Sequence, residues 1–150
     1  CSVRRQRQMC IRDSVIIEPI EVPHRAEFSE TVGYKIYGPN KTALFIPDID
    51  KWYLWEKSII DEIKKVDYAL IDATFYDAKE VNYRDLSEIP HPFVVESMEL
   101  FDSIKDEEKN KIFFIHLNHT NPLINKNSDE YKYVVSKGYN VAEEGMHLKL

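Results

Sequence analysis

Three side chains suited to metal binding or acid–base chemistry stand just behind apolar runs. His24 follows residues 15–22 (VIIEPIEV) and Pro23, Asp48 follows residues 42–46 (TALFI) and Pro47, and His116 follows residues 111–115 (KIFFI). A fourth, His91, is held between Pro90 and Pro92, and a proline restricts both itself and the residue before it. Imidazole nitrogens and carboxylate oxygens suit Zn²⁺, Mn²⁺ or Fe²⁺. A carboxylate can bridge two such ions, and two ions can clamp an attacking water. A histidine close to the ions but not on them can protonate a leaving group. Spacing alone leaves a second reading open, in which each residue ends a strand and bonds nearby backbone. Other chemistries have less support. There is no glycine-rich phosphate loop and no serine in a nucleophile turn. Both cysteines, Cys1 and Cys10, lie in the first fourteen residues, so thiol catalysis is excluded for the rest.

The elements that must position these residues are readable from periodicity and turn chemistry. Strands are predicted over 15–22, with a bulge or edge position at Pro19, and over 30–37 and 42–46, with a turn at 38–41. A helix is predicted over 52–66, placing Trp55, Ile59, Ile60 and Ile63 on one face. A strand at 68–75 is interrupted by Asp72, with Thr74 near its end. A polar loop at 77–88 contains about one helical turn. A helix at 93–104 turns Val94, Val95, Met98, Phe101 and Ile104 inward, with Pro92 in its first turn. A solvated charge run at 105–110 leads to the strand 111–115. A helix at 128–137 is closed by Gly138, and short strands follow at 139–142 and 146–150. Helices thus alternate with buried strands after an antiparallel opening. The fold class is α/β, a sheet with helices on at least one face. Loops at the strand ends of such sheets are where ligands bind.

Composition narrows the function classes. The chain has 150 residues and a net charge of −6, with 43% hydrophobic residues, which suits one soluble domain with a real core. The acidic balance disfavours nucleic acid as a partner, because phosphate contacts need clustered cations. No apolar run approaches a membrane span. The first fourteen residues carry +3, leaving −9 in residues 15–150. Residues 1–14 are expected to be a non-native, adapter-derived or disordered segment, with the true N-terminus further upstream. The lack of cysteine in the remainder fits a cytoplasmic protein.

The segments PHRAEFSETVGYKI, ALFIPDID, LIDATF, PHPFVVESM, KIFFIHLNHTNP and YNVAEEGMHL resemble the second half of a metallo-β-lactamase-fold hydrolase. The nearest branch in this resemblance is that of coenzyme PQQ synthesis protein B, with cyclic phosphodiesterases and RNase Z close by. The resemblance spans residues 15–150 and implies the C-terminal part of a four-layer αββα sandwich. It implies two divalent metal ions, zinc first and manganese or iron as alternatives. His24 and His116 would be metal ligands and Asp48 a bridging ligand, while His91 would be the non-ligand histidine that assists the leaving group. The family's HxHxDH motif, which supplies most ligands, is absent from residues 1–150. The remaining ligands would come from a preceding half, so these residues by themselves are not expected to complete a two-metal centre.

Further residues have two readings each. Arg25 meets an anionic substrate or forms a surface ion pair. Asp72 and Thr74 orient a ligand imidazole or form a self-satisfied buried pair. His119 faces the substrate or stabilises its turn. Trp52 and Trp55 read as core, and His147 as structural. The expected activity is hydrolysis of a phosphodiester or related ester of a small anionic substrate by metal-activated water, with a homodimeric parent. The alternatives are an iron-dependent protein of quinone-cofactor biosynthesis and a non-catalytic binding protein on the same fold. Half a sandwich should also leave one sheet face uncovered, so residues 1–150 alone are expected to aggregate or form a loose globule.

Overall fold

The computed structural model describes residues 9–10, 15–25, 29–81 and 89–150. Among these residues, seven strands form one sheet in sequence order: β1 (Met9–Cys10), β2 (Ile16–Val22), β3 (Thr31–Tyr37), β4 (Thr42–Ile46), β5 (Tyr68–Asp72), β6 (Ile112–Ile115) and β7 (Asn140–Val141). The first four run antiparallel, and β4 to β7 run parallel. Short turns suffice for the antiparallel part, with Gly38 N–H donating to Lys41 O at 2.9 Å. The parallel part needs crossovers, supplied by α1 (Ile59–Lys64), by α2 (Val94–Leu100) with α3 (Asp106–Lys109), and by α4 (Asp129–Ser136).

All crossovers contribute to one face. Register places Leu44, Ala69 and Ile112 in one row, and Ile46, Ile71, Phe114 and Val141 in the next. These side chains join Ile59 and Ile63 of α1, Val94 of α2 and Val134 of α4 in the main core cluster. On the opposite face, Tyr34, Phe45, Leu70 and Phe113 form a row and Ile36, Ala43 and Tyr68 another. None of these joins the core cluster, and all but Ala43 are partly exposed. Among the described residues this face is less covered than the helix-bearing one, and its side chains are partly rather than fully exposed.

Several local expectations need correction. The helix predicted over 52–66 is two pieces, a 3₁₀ turn at Trp52–Leu54 and α1. Trp55 is extended and its indole N–H donates to Glu21 O at 2.9 Å, while Ser58 caps α1 by accepting from Asp61 N–H. Burying a tryptophan with its N–H satisfied outweighs helix continuity. The helix predicted over 93–104 covers only Val94–Leu100, with Pro92 ahead of it. Val95 is exposed rather than inward, and Ser97 takes a buried position by accepting from the Trp52 indole N–H at 2.8 Å. The charge run at 105–110 contains one helical turn, with three acids at its N-terminal end, where the helix dipole favours them. The strand predicted at 146–150 does not form; Gly145 adopts φ +82° and the segment returns to the β3–β4 turn, where Leu150 packs on Gly38. Residues 82–88 of the predicted polar loop, and most of 1–14, lie outside the described residues. Within 1–14, Met9–Cys10 pairs with Ile16 and Ile17. No described helix is long and apolar enough to cross a membrane.

Candidate functional site

Strands β4, β5 and β6 end at one rim, and the loops behind them carry the polar residues. Behind β4, Ile49 turns inward and is fully buried, which leaves Asp48 and Asp50 on the other side of the loop. The Asp50 N–H donates to Pro23 O at 2.7 Å, locking this loop against the one that carries His24. Behind β5, Ala73 N–H donates to Ile115 O and Thr74 O accepts from Asn118 N–H, each at 2.9 Å. Asn121 adds side-chain N–H bonds to Ala73 O and Thr74 O. These bonds hold the β5 and β6 ends side by side. His116 takes φ +60°, the one positive value for a non-glycine among the described residues. That conformation costs an L-residue roughly 1–2 kcal/mol, and here it turns the ring away from the strand direction. His91 arrives on the Pro90–Pro92 turn, which Glu96 fixes by accepting from Phe93 N–H at 2.9 Å.

Asp72 is the buried hub. It is fully inaccessible, and its oxygens accept from Ile49 N–H (3.2 Å), Thr74 N–H (2.9 Å), Thr74 Oγ1–H (2.7 Å) and His91 Nδ1–H (2.8 Å). Burial pushes its pKa up, but His116, His91 and Thr74 together hold it below the ordinary carboxylate value. The His116 imidazole is raised above its ordinary value, first by the Asp72 carboxylate and against some burial; its Nδ1 lies 3.7 Å from Asp72 Oδ1 and 3.1 Å from Thr74 Oγ1. Since Asp72 accepts the proton of His91 Nδ1, the His91 Nε2 is left for chemistry.

A second group is less satisfied. His24 Nε2 lies 3.4 Å from Asp48 Oδ2, and His24 Nδ1 lies 3.3 Å from Asp50 Oδ1. His91 Nδ1 is 3.4 Å from Asp48 Oδ1, and the His24 and His91 ring centroids are 5.5 Å apart. These approaches lack hydrogen-bond alignment: His24 Nδ1, Asp48 Oδ1 and Asp50 Oδ1 are buried atoms with no hydrogen-bond partner. Buried polar atoms without partners are expensive, and carboxylates and imidazoles gathered this way fit a divalent cation.

One ligand atom from each of Asp48, Asp72, His91 and His116 can be chosen so that all lie within 4.8 Å of one another. The structure thus brings Asp48, His91 and His116 together, and His24 joins them through Asp48. Asp72 belongs to the same group by distance, but its oxygens are already occupied by four donors. Arg25 is exposed beside His24. His119 is exposed on the loop after His116, with Nδ1 3.2 Å from Asn118 Oδ1. Asp50 escaped the sequence reading, although its position two residues after Asp48, across a buried isoleucine, was a usable signal. Of the two readings of Asp72 and Thr74, the structure places the Thr74 hydroxyl beside two imidazoles, those of His91 and His116.

A family model described as the beta-lactamase superfamily domain matches residues 3–117. The chain belongs to the beta-lactamase superfamily. Coenzyme PQQ synthesis protein B of Gluconobacter oxydans (strain 621H) is 29% identical over 126 residues, covering 81% of this chain and 40% of that protein. The solved structure of Zn²⁺-bound PqqB from Methylobacterium extorquens matches with a TM-score of 0.75 at 21% identity, covering 97% of this chain and 50% of that one. The expected fold is thereby established, and the chain spans half or less of the length of these two beta-lactamase-superfamily relatives.

Proposed function

We propose that this chain contributes metal-holding and proton-transfer groups to a hydrolase of small anionic esters, phosphodiesters being the first class to test. The observation that carries the reading is the convergence of His24, Asp48, His91 and His116 at one rim, with three buried ligand-type atoms left without hydrogen-bond partners. His24, Asp48 and His116 would hold divalent metal, zinc first, with manganese or iron as alternatives and further ligands from outside residues 1–150. Such an ion, when bound, supplies a water whose pKa falls to roughly 7. His91 is oriented by Asp72 through Nδ1, so that Nε2 can hold a proton for the departing oxygen. Asp50 lies 3.3 Å from His24 Nδ1, and Arg25 and His119 would meet the substrate anion. A cytoplasmic homodimer is the proposed setting.

The test is made on the complete parent protein. Metal analysis should find at least one ion per chain, and Asp48→Asn or His116→Gln should lower bound metal and hydrolysis of bis(p-nitrophenyl) phosphate together. His91→Gln should lower hydrolysis by roughly 10²–10⁴-fold while leaving metal content unchanged. Less than one metal per wild-type chain would end this reading.

A second reading draws on the matches to protein B and PqqB. It makes the parent an iron-dependent protein of quinone-cofactor biosynthesis. Iron in the purified protein with oxygen uptake on a tyrosine-derived substrate would favour it; anaerobic ester hydrolysis would count against it. An intact HxHxDH motif upstream would favour either enzyme over a non-catalytic binder.

A further inference from the structure

Thr74 is 9% exposed, yet its hydroxyl lies near three ionisable side chains. Oγ1 is 2.7 Å from Asp72 Oδ1, 3.1 Å from His116 Nδ1 and 3.3 Å from His91 Nδ1. A hydroxyl has one proton and two lone-pair positions, whereas a carboxylate only accepts. The Thr74 proton therefore points at Asp72, and both imidazole nitrogens face oxygen lone pairs. A nitrogen in that position must bring the proton itself. The two rings differ in their other support. His91 Nδ1 also bonds Asp72 Oδ2 directly at 2.8 Å. His116 Nδ1 lies 3.7 Å from Asp72 Oδ1, beyond hydrogen-bond reach, so the Thr74 hydroxyl is the group that bonds it.

We propose that Thr74 is a positioning residue that sets the tautomer of His116. Its hydroxyl links the Asp72 carboxylate to Nδ1, holds the neutral ring as the Nδ1–H form, and leaves the Nε2 lone pair available to a ligand. Asp48 and the Pro47 carbonyl also act on this ring, and both are acceptors. Without the hydroxyl they remain to compete for the ring proton. The tautomer follows from geometry; its use in metal ligation rests on the hydrolase reading above.

The experiment is long-range ¹H–¹⁵N NMR on the chelator-treated parent protein with ¹⁵N-labelled histidine, at a pH where both rings are neutral. The wild type should show His116 in the Nδ1–H pattern. Thr74→Val should move His116 toward the Nε2–H pattern and leave His91 unchanged, because His91 keeps its direct carboxylate bond. Thr74→Ser should restore the wild-type pattern. If the valine variant loses its folded spectrum, Thr74→Ala takes its place with the same expectation. A wild-type His116 in the Nε2–H form, or one indifferent to loss of the hydroxyl, would overturn the proposal. In a parallel arm, Zn²⁺ affinity measured by chelator competition should fall roughly 10–100-fold in Thr74→Val and return in Thr74→Ser. A tautomer change in a protein that binds no Zn²⁺ would sink the metal reading and leave the role of Thr74 standing.

Discussion

Phe113 and Phe114 are neighbours on one strand and belong to different environments. Phe114 is fully buried beneath the helices, in a row with Ile46 and Ile71. Phe113 points to the other face, in a row with Tyr34, Phe45 and Leu70, and stays partly exposed. The residue types are alike, so composition cannot separate the two faces. What separates them is that α1, α2 and α4 all pack on one side. The site sits where the less covered face meets the strand ends: Asp72 pairs with Ile115 in its last row, and His116 follows.

The largest expected effect tests that contrast directly. Phe114→Ala should cost about 3–5 kcal/mol, from lost transfer free energy and an unfilled cavity. Phe113→Ala should cost less in the 150-residue chain, about 1–2 kcal/mol, because its ring is already partly exposed. Urea unfolding of both variants measures the difference; equal costs would mean that the second face is covered. The same measurement on the unmutated chain bears on its expected aggregation, which a sharp, cooperative, monomeric transition would contradict.

The covered face also holds a charge cluster, which sharpens the comparison. Glu62 on α1 is 6% exposed in its side chain and pairs with Lys35 of β3 and with Lys65. Burial pushes the Glu62 carboxyl up, but the two lysines hold it below its ordinary value. A depressed carboxylate stabilises the fold above its unfolded pKa, about 4.3, and that contribution is lost as pH falls through the lower folded value. Glu62→Gln should therefore cost about 3 kcal/mol at pH 7, by stranding Lys35. It should also flatten the loss of stability as pH falls below the unfolded carboxyl value of about 4.3. Chemical denaturation across that range checks both; an unchanged acid limb would mean that the pair contributes nothing.

The smallest effect concerns the rim. His116 holds φ +60°, which glycine adopts freely and alanine does not. His116→Gly should be more stable than His116→Ala by about 1 kcal/mol, although both remove the imidazole. Thermal unfolding of the pair measures it; equal stabilities would mean that the left-handed backbone is relaxed by its surroundings.

Much of this was readable along the chain. Apolar runs bounded by proline, glycine and asparagine marked β2 to β6, because a strand's period and its turn chemistry are local properties. The same locality placed His24, Asp48 and His116 just past strand ends, and the proline pair marked His91 as rigidly held. Helix limits were less readable. The break at Trp55 depends on an indole reaching Glu21, thirty-four residues away in sequence, and Ser97 is buried because Trp52 donates to it.

By itself, then, the order of residues determined which segments form strands and which polar side chains leave them, since both follow from interactions within a few residues. Only the tertiary structure decided that Asp72 is saturated by donors from three loops, that Asp50 comes within 3.3 Å of His24 Nδ1, and that one threonine hydroxyl lies beside Asp72 and two imidazoles. Those are distances between segments far apart in sequence, set by sheet register and loop anchoring, and no local pattern encodes them.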